Sequence, residues 1–246
     1  MDVTEQVGAF LRRTVAAARE AIVRDKSGLH SEIEIEVKLG HVLDKHSRQR
    51  VVLPILSETV LDDAGNYFCF ESNMSRNQHA TLNQKLNGTV RPGSRVAYVH
   101  LREEDIFYAI RGMGKVRKTV TKSTNETKCI ISKRNVANLQ VFLPSSRLDY
   151  RVSVNVEKHV PSIDPIYQPE FSRTKDRLSY KLAPFQVDLT QVRASNGGGG
   201  GRGDEERHEV EVEVTDMQAF LTEMDKEARQ EPNAFLDLVN ALLNNL

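Results

Sequence analysis

The sequence predicts an α+β fold, mainly β, with helices at both chain ends. Three observations carry this expectation. Between Arg95 and Val214, short runs that read as strands recur with turn residues between them. Two runs, one near each end of the chain, alternate apolar and acidic residues without a break. The terminal segments instead repeat their apolar residues at helical spacing. Many short strands at regular spacing suit a barrel or a sandwich, and the pattern alone does not choose between them.

Taken in order, Val3 to Val23 is expected to be a helix, because Val7, Phe10, Leu11, Val15, Ala18 and Ile22 share one face. A strand follows in Glu32-Ile33-Glu34-Ile35-Glu36-Val37-Lys38-Leu39, closed by Gly40. Val51 to Thr59 and Asn66 to Glu71 read as short strands, and Ser75 to Leu86 as a helix capped by Asn73 or Ser75 and ended by Asn87-Gly88. Nine strand candidates come next: Arg95–Leu101, Asp105–Ile110, Lys115–Thr121, Lys128–Arg134, Asn138–Phe142, Tyr150–Glu157, Arg177–Leu182, Phe185–Gln191 and Glu209–Val214. Gly112, Gly114, Pro144-Ser145-Ser146 and Ala183-Pro184 separate several of them. Ser195 to Gly201 reads as a flexible loop; no Gly-Lys-Ser/Thr follows it, so it is not a P-loop. Arg202-Gly203-Asp204 spells an adhesion tripeptide but sits in a charged loop. Asp216 to Arg229 and Asn233 to about Leu243 read as helices, with Pro232 at the start of the second. The apolar side of that last helix packs on the barrel or on a second subunit, which leaves the oligomeric state open.

At 246 residues the chain suits one large β-rich domain or two small ones. Lys+Arg and Asp+Glu are 34 each, so no global basic field exists to grip a polyanion, and binding would need locally sorted charge. Cys69 and Cys129 match no metal or disulfide spacing and read as reduced thiols. No apolar run resembles a signal segment or membrane span, so no membrane partner is expected. HExxH and G-x-S-x-G are absent, which sets aside the zincin and serine-hydrolase chemistries.

The chemistry lies in the alternating strands. Residues two apart on a strand point the same way at roughly 6.5–7 Å spacing. Glu32, Glu34, Glu36 and Lys38 therefore share a face, as do Glu209, Glu211 and Glu213. A solvated sheet face also alternates, but it usually mixes signs, because neighbouring like charges repel. Arg173, Lys175 and Arg177 form a basic triplet at the same period, with Lys115, Arg117 and Lys133 as further cations. Carboxylate oxygens suit Mg²⁺ or Mn²⁺, and Arg and Lys suit phosphate oxygens. An acidic and a basic pole on one interior surface would clamp a transferring phosphoryl group.

Glu34-Ile35-Glu36-Val37-Lys38 resembles the ExExK signature of the triphosphate tunnel metalloenzymes. Arg173-Thr-Lys175-Asp176-Arg177-Leu-Ser-Tyr180, Val187-Asp188-Leu189-Thr190-Gln191-Val192 and His208-Glu209-Val-Glu211-Val-Glu213-Val resemble, in order, strands of the fungal and protozoan RNA 5′-triphosphatases. Phe70-Glu71-Ser72, Leu82-Asn83-x-x-Leu86-Asn87 and Arg151-Val-Ser153-Val-Asn155-Val-Glu157 resemble that branch too. The resemblance covers most of Glu32 to Val214.

The resemblance implies a closed eight-stranded antiparallel β-barrel, the triphosphate tunnel, flanked by helices at the N- and C-termini. The chain would be one domain over 1–246, with the N-terminal helix in 1–28, tunnel strands and an inserted helix in 29–214, and C-terminal helices in 215–246. By the same resemblance, Glu34, Glu36 and Glu213 would bind Mg or Mn. Glu211 and Asp188 would hold water on the metal, supported by Glu209. Arg117, Lys175 and Arg177 would grip the γ-phosphate, with Arg173 and Lys133 assisting and Lys38 facing phosphate. Glu157 would orient the attacking water and Thr190 support its neighbours. A further acidic residue is expected near Asp105. The implied activity is hydrolysis of triphosphate-ended RNA to a diphosphate end, the first step of cap formation, with NTPs as further substrates. An mRNA guanylyltransferase would be the partner and the nucleus the location. By this resemblance the chain would be of the compact protozoan type, without the long N-terminal extension of the fungal proteins. A small-molecule triphosphatase of the same superfamily and a non-catalytic RNA-end or polyphosphate-binding module are the alternatives.

Overall fold

The computed structural model describes residues 2–61, 64–195 and 206–244. The glycine run 197–201 and Arg202-Gly203-Asp204 lie outside the described residues. In chain order the elements are α1 (Val3–Arg24), β1 (Ser31–Asp44), β2 (Thr59–Leu61), α2 (Ala64–Tyr67), β3 (Phe68–Glu71), α3 (Arg76–Asn87), β4 (Ala97–Ile110), β5 (Gly114–Thr121), β6 (Thr127–Phe142), β7 (Asp149–His159), β8 (Phe171–Leu182), β9 (Phe185–Ser195), β10 (Glu206–Val214), α4 (Met217–Ala228) and α5 (Phe235–Asn244).

Eight strands close on themselves. Their order around the ring is β1-β10-β9-β8-β4-β5-β6-β7 and back to β1, every neighbour antiparallel. The seam is the β1–β10 pairing, in which Glu36 faces Glu213 and Lys38 faces Glu211. Closure removes the free edges that an open sheet would expose. β2 adds to β6, and β3 adds to the far half of β1.

Several strand boundaries differ from the pattern-based reading. Arg95–Leu101 and Asp105–Ile110 are one strand, β4, because Glu103 and Asp105 point into the barrel and look, in sequence, like a polar break. Lys128–Arg134 and Asn138–Phe142 are likewise one strand, β6, with a bulge between Asn135 and Ala137. β8 starts at Phe171 rather than Arg177, so the whole basic triplet is on the strand. Val51–Thr59 is not a strand; Pro54 interrupts it, and pairing resumes only at Thr59. The turn α2 takes the first part of the run that ends in β3. β1 does not stop at Gly40 but runs through it to Asp44. A Cβ there would stand 2.1 Å from the Glu71 carbonyl oxygen, so only glycine lets β3 approach. The last helix begins at Phe235, past Pro232, where Asn233 Oδ1 accepts from the Phe235 amide at 3.1 Å.

The main apolar core lies outside the barrel. Val7, Leu11 and Val15 of α1, Phe220 of α4 and Phe235, Val239 and Leu242 of α5 pack with outward-facing Ile35 and Val37 (β1), Val152 and Val154 (β7), Leu189 (β9) and Val212 (β10). The apolar side of α5 is therefore covered by α1 and the barrel wall of its own chain. With its apolar half spent outward, each alternating strand presents its polar half to the lumen.

Helix α3, opened by a Ser75–Gln78 capping box, packs on the outer wall. The Tyr180 hydroxyl lies 2.6 Å from Asn83 Oδ1 and 2.7 Å from Asn87 Oδ1, which gives the Leu82-Asn83-x-x-Leu86-Asn87 motif a structural use. His208 sits beneath the same helix against His79, rings 5.1 Å apart, on the outer face rather than facing the lumen.

Candidate active site

The lumen is built from side chains of all eight barrel strands. Glu34, Glu36 and Lys38 come from β1, and Glu209, Glu211 and Glu213 from β10. Asp188 and Thr190 come from β9, Arg173, Lys175 and Arg177 from β8, Arg117 from β5, Lys133 from β6 and Glu157 from β7. Every residue singled out in the sequence thus stands on a barrel strand with its face to the interior. Ion pairs join most of the charged ones, so the charges are not segregated into two poles.

On the β1–β10 side, Lys38 Nζ lies 2.6 Å from Glu211 and 3.4 Å from Glu36. Lys133 reaches across β7 to pair with Glu34, with Glu36 at 3.4 Å and with Glu157 at 3.8 Å. Asn155 Nδ2 donates to Glu34 at 2.9 Å and to Glu36 at 3.1 Å. On β8, Arg177 pairs with Asp188 at 2.9 Å and Glu211 at 3.9 Å, and its Nε donates to Thr190 at 3.2 Å. Arg117 approaches Glu157 at 3.6 Å.

Electrostatics separates the carboxylates. Burial, reinforced by Glu36, pushes Glu34 up to about 7 even though Lys133 is beside it. Burial, reinforced by Glu34, Asp188, Glu211 and Glu36, pushes Glu213 up to about 8. Burial and Glu211 raise Glu209. Burial also acts against the Glu211 carboxylate, but Lys38 and Arg177 outweigh it and hold its pKa below the ordinary value. Glu34 and Glu213 thus keep their protons into the neutral range, because the protein's own cations do not offset the cost of ionising them. Among the described residues no group of three or more His, Cys, Asp and Glu is drawn together as a ready metal cage, and the Lys133 ammonium stands against Glu34 and Glu36 instead.

Two acidic residues not fixed from the sequence complete the basic side. Asp105, fully buried, accepts from Thr119 at 2.7 Å and pairs with Lys175 at 2.9 Å and Arg173 at 2.9 Å. Glu103 pairs with Lys175 at 3.3 Å and Lys128 at 2.7 Å. Both lie at or beside the position near which the resemblance implies a further acid, and the signal for them is their two-residue spacing inside what reads as a charged break. Arg151 was also missed as a site residue, although it heads the Arg151-x-Ser153-x-Asn155-x-Glu157 alternation. It lines a cavity of about 440 Å³ with Glu36, Lys38, Arg117, Lys133 and Arg173. The buried Arg117 Nε and Arg151 Nε have no hydrogen-bond partner, and neither does Glu157 Oε1. A larger cavity of about 1350 Å³ lies outside the barrel between α1, α3 and α5 and holds none of this chemistry.

The model of a family described as mRNA capping enzyme, beta chain, matches residues 1–246. The chain belongs to that family. The mRNA-capping enzyme subunit beta of Schizosaccharomyces pombe is 32% identical over 189 residues, covering 74% of this chain and 61% of that protein. Its counterpart in Cryptococcus neoformans is 32% identical over 205 residues, covering 79% and 51%. This family member therefore spans only part of the length of those relatives. The solved structure of S. pombe Pct1 RNA triphosphatase matches with a TM-score of 0.84 and 28% identity, covering 100% of this chain and 91% of that one. Pct1 in complex with the Spt5 CTD matches with a TM-score of 0.85 and 27% identity, covering 100% and 92%. The closed barrel with flanking helices is accordingly the family's architecture.

Proposed function

We propose that this chain removes the γ-phosphate from triphosphate-ended RNA, leaving a diphosphate end for guanylyl transfer in cap formation. One observation carries the reading: the β1–β10 seam sets Glu36 opposite Glu213 inside the same lumen that holds Arg117, Lys175 and Arg177. The family and the likeness to an RNA triphosphatase structure support it. The setting it implies is the nucleus, with an mRNA guanylyltransferase as the partner that consumes the product.

The donor set fits a divalent cation. Glu34, Glu36 and Glu213 offer hard carboxylate oxygens, and the raised pKa of Glu34 and Glu213 marks charge that such an ion would neutralise. Mg²⁺ or Mn²⁺ held there would act as a Lewis acid toward the γ-phosphate. In this reading Lys133 yields its place beside Glu34 and Glu36 and turns to phosphate. Arg117, Lys175 and Arg177 neutralise charge growing on the γ-phosphate oxygens, and the unpaired Arg117 Nε is a donor ready for one of them. Glu103 and Asp105 hold Lys175 and Arg173 in place, so their rotamers are set before substrate arrives. Glu157 Oε1, buried without a donor, accepts a hydrogen bond from the attacking water and aligns it with the β–γ bridge. Water adds to the γ-phosphorus, the bond to the bridging oxygen breaks, the β-phosphate keeps the electron pair, and of the water's two protons one stays on the released phosphate as P–OH and the other passes to a phosphate oxygen. Glu211 fixes Lys38, Asp188 and Thr190 fix Arg177, and together with Glu209 the carboxylates would order water beside a bound ion.

The test is release of labelled phosphate from γ-labelled triphosphate RNA with Mg²⁺ or Mn²⁺. Glu34→Ala and Glu213→Ala should each lower release at least a hundredfold while the protein stays folded. A wild-type protein that releases no label with either ion, or variants that keep full release, would refute the reading.

A further inference from the structure

We propose that Phe107 and Phe171 form a stacking platform for the first nucleobase of the RNA, which makes the tunnel selective for nucleotide-linked triphosphates; this rests on the reading above. The two residues are partners across β4 and β8, with ring centroids 4.4 Å apart and an interplanar angle of 13°. Neither ring belongs to either apolar core of the molecule. They form an apolar island at the end of a charged lumen: Phe107 lines the 440 Å³ cavity, and Phe171 continues the apolar surface from it by stacking on its ring.

Their position matches the geometry of a nucleotide. Phe107 follows Asp105 by one same-face step on β4, and Phe171 precedes Arg173 by one step on β8. From the Lys175 row to the Phe171 row is two steps, roughly 13 Å along the strand. Over that length a substrate whose γ-phosphate meets Lys175 carries its β- and α-phosphates and ribose, and its base arrives at the rings. Arg173 stands between the two rows and suits an intervening phosphate, whereas Lys115, opposite Ala109, lies one step beyond the rings, where the RNA chain would continue. The Arg173 guanidinium carbon lies 5.3 Å from the Phe107 centroid, and Lys115 Nζ lies 5.4 Å from the Phe171 centroid. Lys115 is exposed on a flexible stem, so its ammonium can leave the ring for a phosphate and free the Phe171 face for a base. Aromatic faces flanked by basic side chains are the usual means of holding single-stranded nucleic acid without reading its sequence. Every base has a π-face, so the platform accepts any first nucleotide.

The experiment compares triphosphate RNA with inorganic triphosphate as substrates for wild type, Phe171→Leu and Phe171→Tyr. Leucine keeps the apolar bulk and removes the ring; tyrosine keeps the ring. Phe171→Leu should raise KM for RNA about tenfold and leave KM for inorganic triphosphate within about twofold, and Phe171→Tyr should restore RNA binding. A second readout uses RNA with 2-aminopurine as its first base: wild type should quench its fluorescence on binding, and Phe171→Leu should not. Parallel loss on both substrates, or no change on either, would overturn the platform by assigning the rings to packing alone. If wild type quenches the probe but releases no phosphate from RNA, the hydrolytic reading falls and the platform stands.

Discussion

At the residue scale, the lumen separates carboxylates that ion pairs satisfy from carboxylates that they do not. Asp105 is fully buried and satisfied three ways, by Thr119, Lys175 and Arg173. Removing it takes from buried Lys175 the nearer of its two carboxylates and from half-buried Arg173 its ion-pair partner, so Asp105→Ala should cost about 3 kcal/mol in chemical denaturation. Glu34 and Glu213 are the opposite case, since burial and like charge already penalise their ionised forms. Their folded pKa values, about 7 and about 8, lie above the ordinary glutamate range. The folded state therefore binds protons that the unfolded chain releases, and the stability this brings is complete below the unfolded pKa and lost as pH rises through the folded values. His79, held neutral with a pKa of about 4, works in the other direction, but only below its unfolded value of about 6.5. The window that isolates the glutamates is thus about pH 6.5 to 8.5. In chelator, the melting temperature should fall across that window, and Glu213→Gln should flatten the fall. An equally steep decline in Glu213→Gln would show that the carboxyl is not the titrating group.

At the scale of elements, stability and chemistry occupy opposite faces of the same strands. Phe235 is fully buried among α1, α4 and the barrel wall, edge-on to Phe220 with centroids 5.7 Å apart. Phe235→Ala should cost about 3–5 kcal/mol, measured by urea unfolding, while the folded fraction keeps the wild-type rate of the proposed γ-phosphate release. A rate that falls as far as that of Glu34→Ala would mean that the helices shape the lumen and do not merely support it. This division also explains what could be read from sequence. The helices and the alternation on β1 and β10 were legible because each strand keeps one wholly apolar face, Ile33-Ile35-Val37 and Val210-Val212-Val214. β4 was not, because its outward face is mixed and its inward face carries Glu103 and Asp105, so a continuous strand reads as two. β6 was split for another reason: its bulge at Asn135–Ala137 breaks the period of two that makes strands visible. Among the site residues, those in unbroken alternation, Glu34, Glu36, Arg173, Lys175, Arg177, Glu209, Glu211 and Glu213, stood out, whereas Arg151 was hidden by its small polar neighbours on the same face.

At the scale of the whole molecule, neutrality is a property of the lumen as much as of the chain. Lys+Arg and Asp+Glu balance overall, and the interior pairs nearly every cation with a carboxylate, yet Glu34 and Glu213 still hold protons more tightly than glutamates in water. A closed barrel cannot relieve that excess by opening an edge, because β1 and β10 are paired. A divalent cation can relieve it, and one that binds only the folded state stabilises it by RT ln(1 + [L]/Kd), about 2.7 kcal/mol at a hundredfold excess over Kd. Adding Mg²⁺ or Mn²⁺ to the chelated protein at pH 7.5 should therefore raise the melting temperature by several degrees and release protons, which a weakly buffered titration would record. The shift should shrink as pH falls below about 6, where Glu34 and Glu213 are already neutral, and it should vanish in the Glu34→Gln, Glu213→Gln double variant at any pH. An equal shift in wild type and double variant would place the cation on the outer surface instead. The lumen's carboxylates would then have to be explained by ion pairing with Lys38, Lys133 and Arg177 alone.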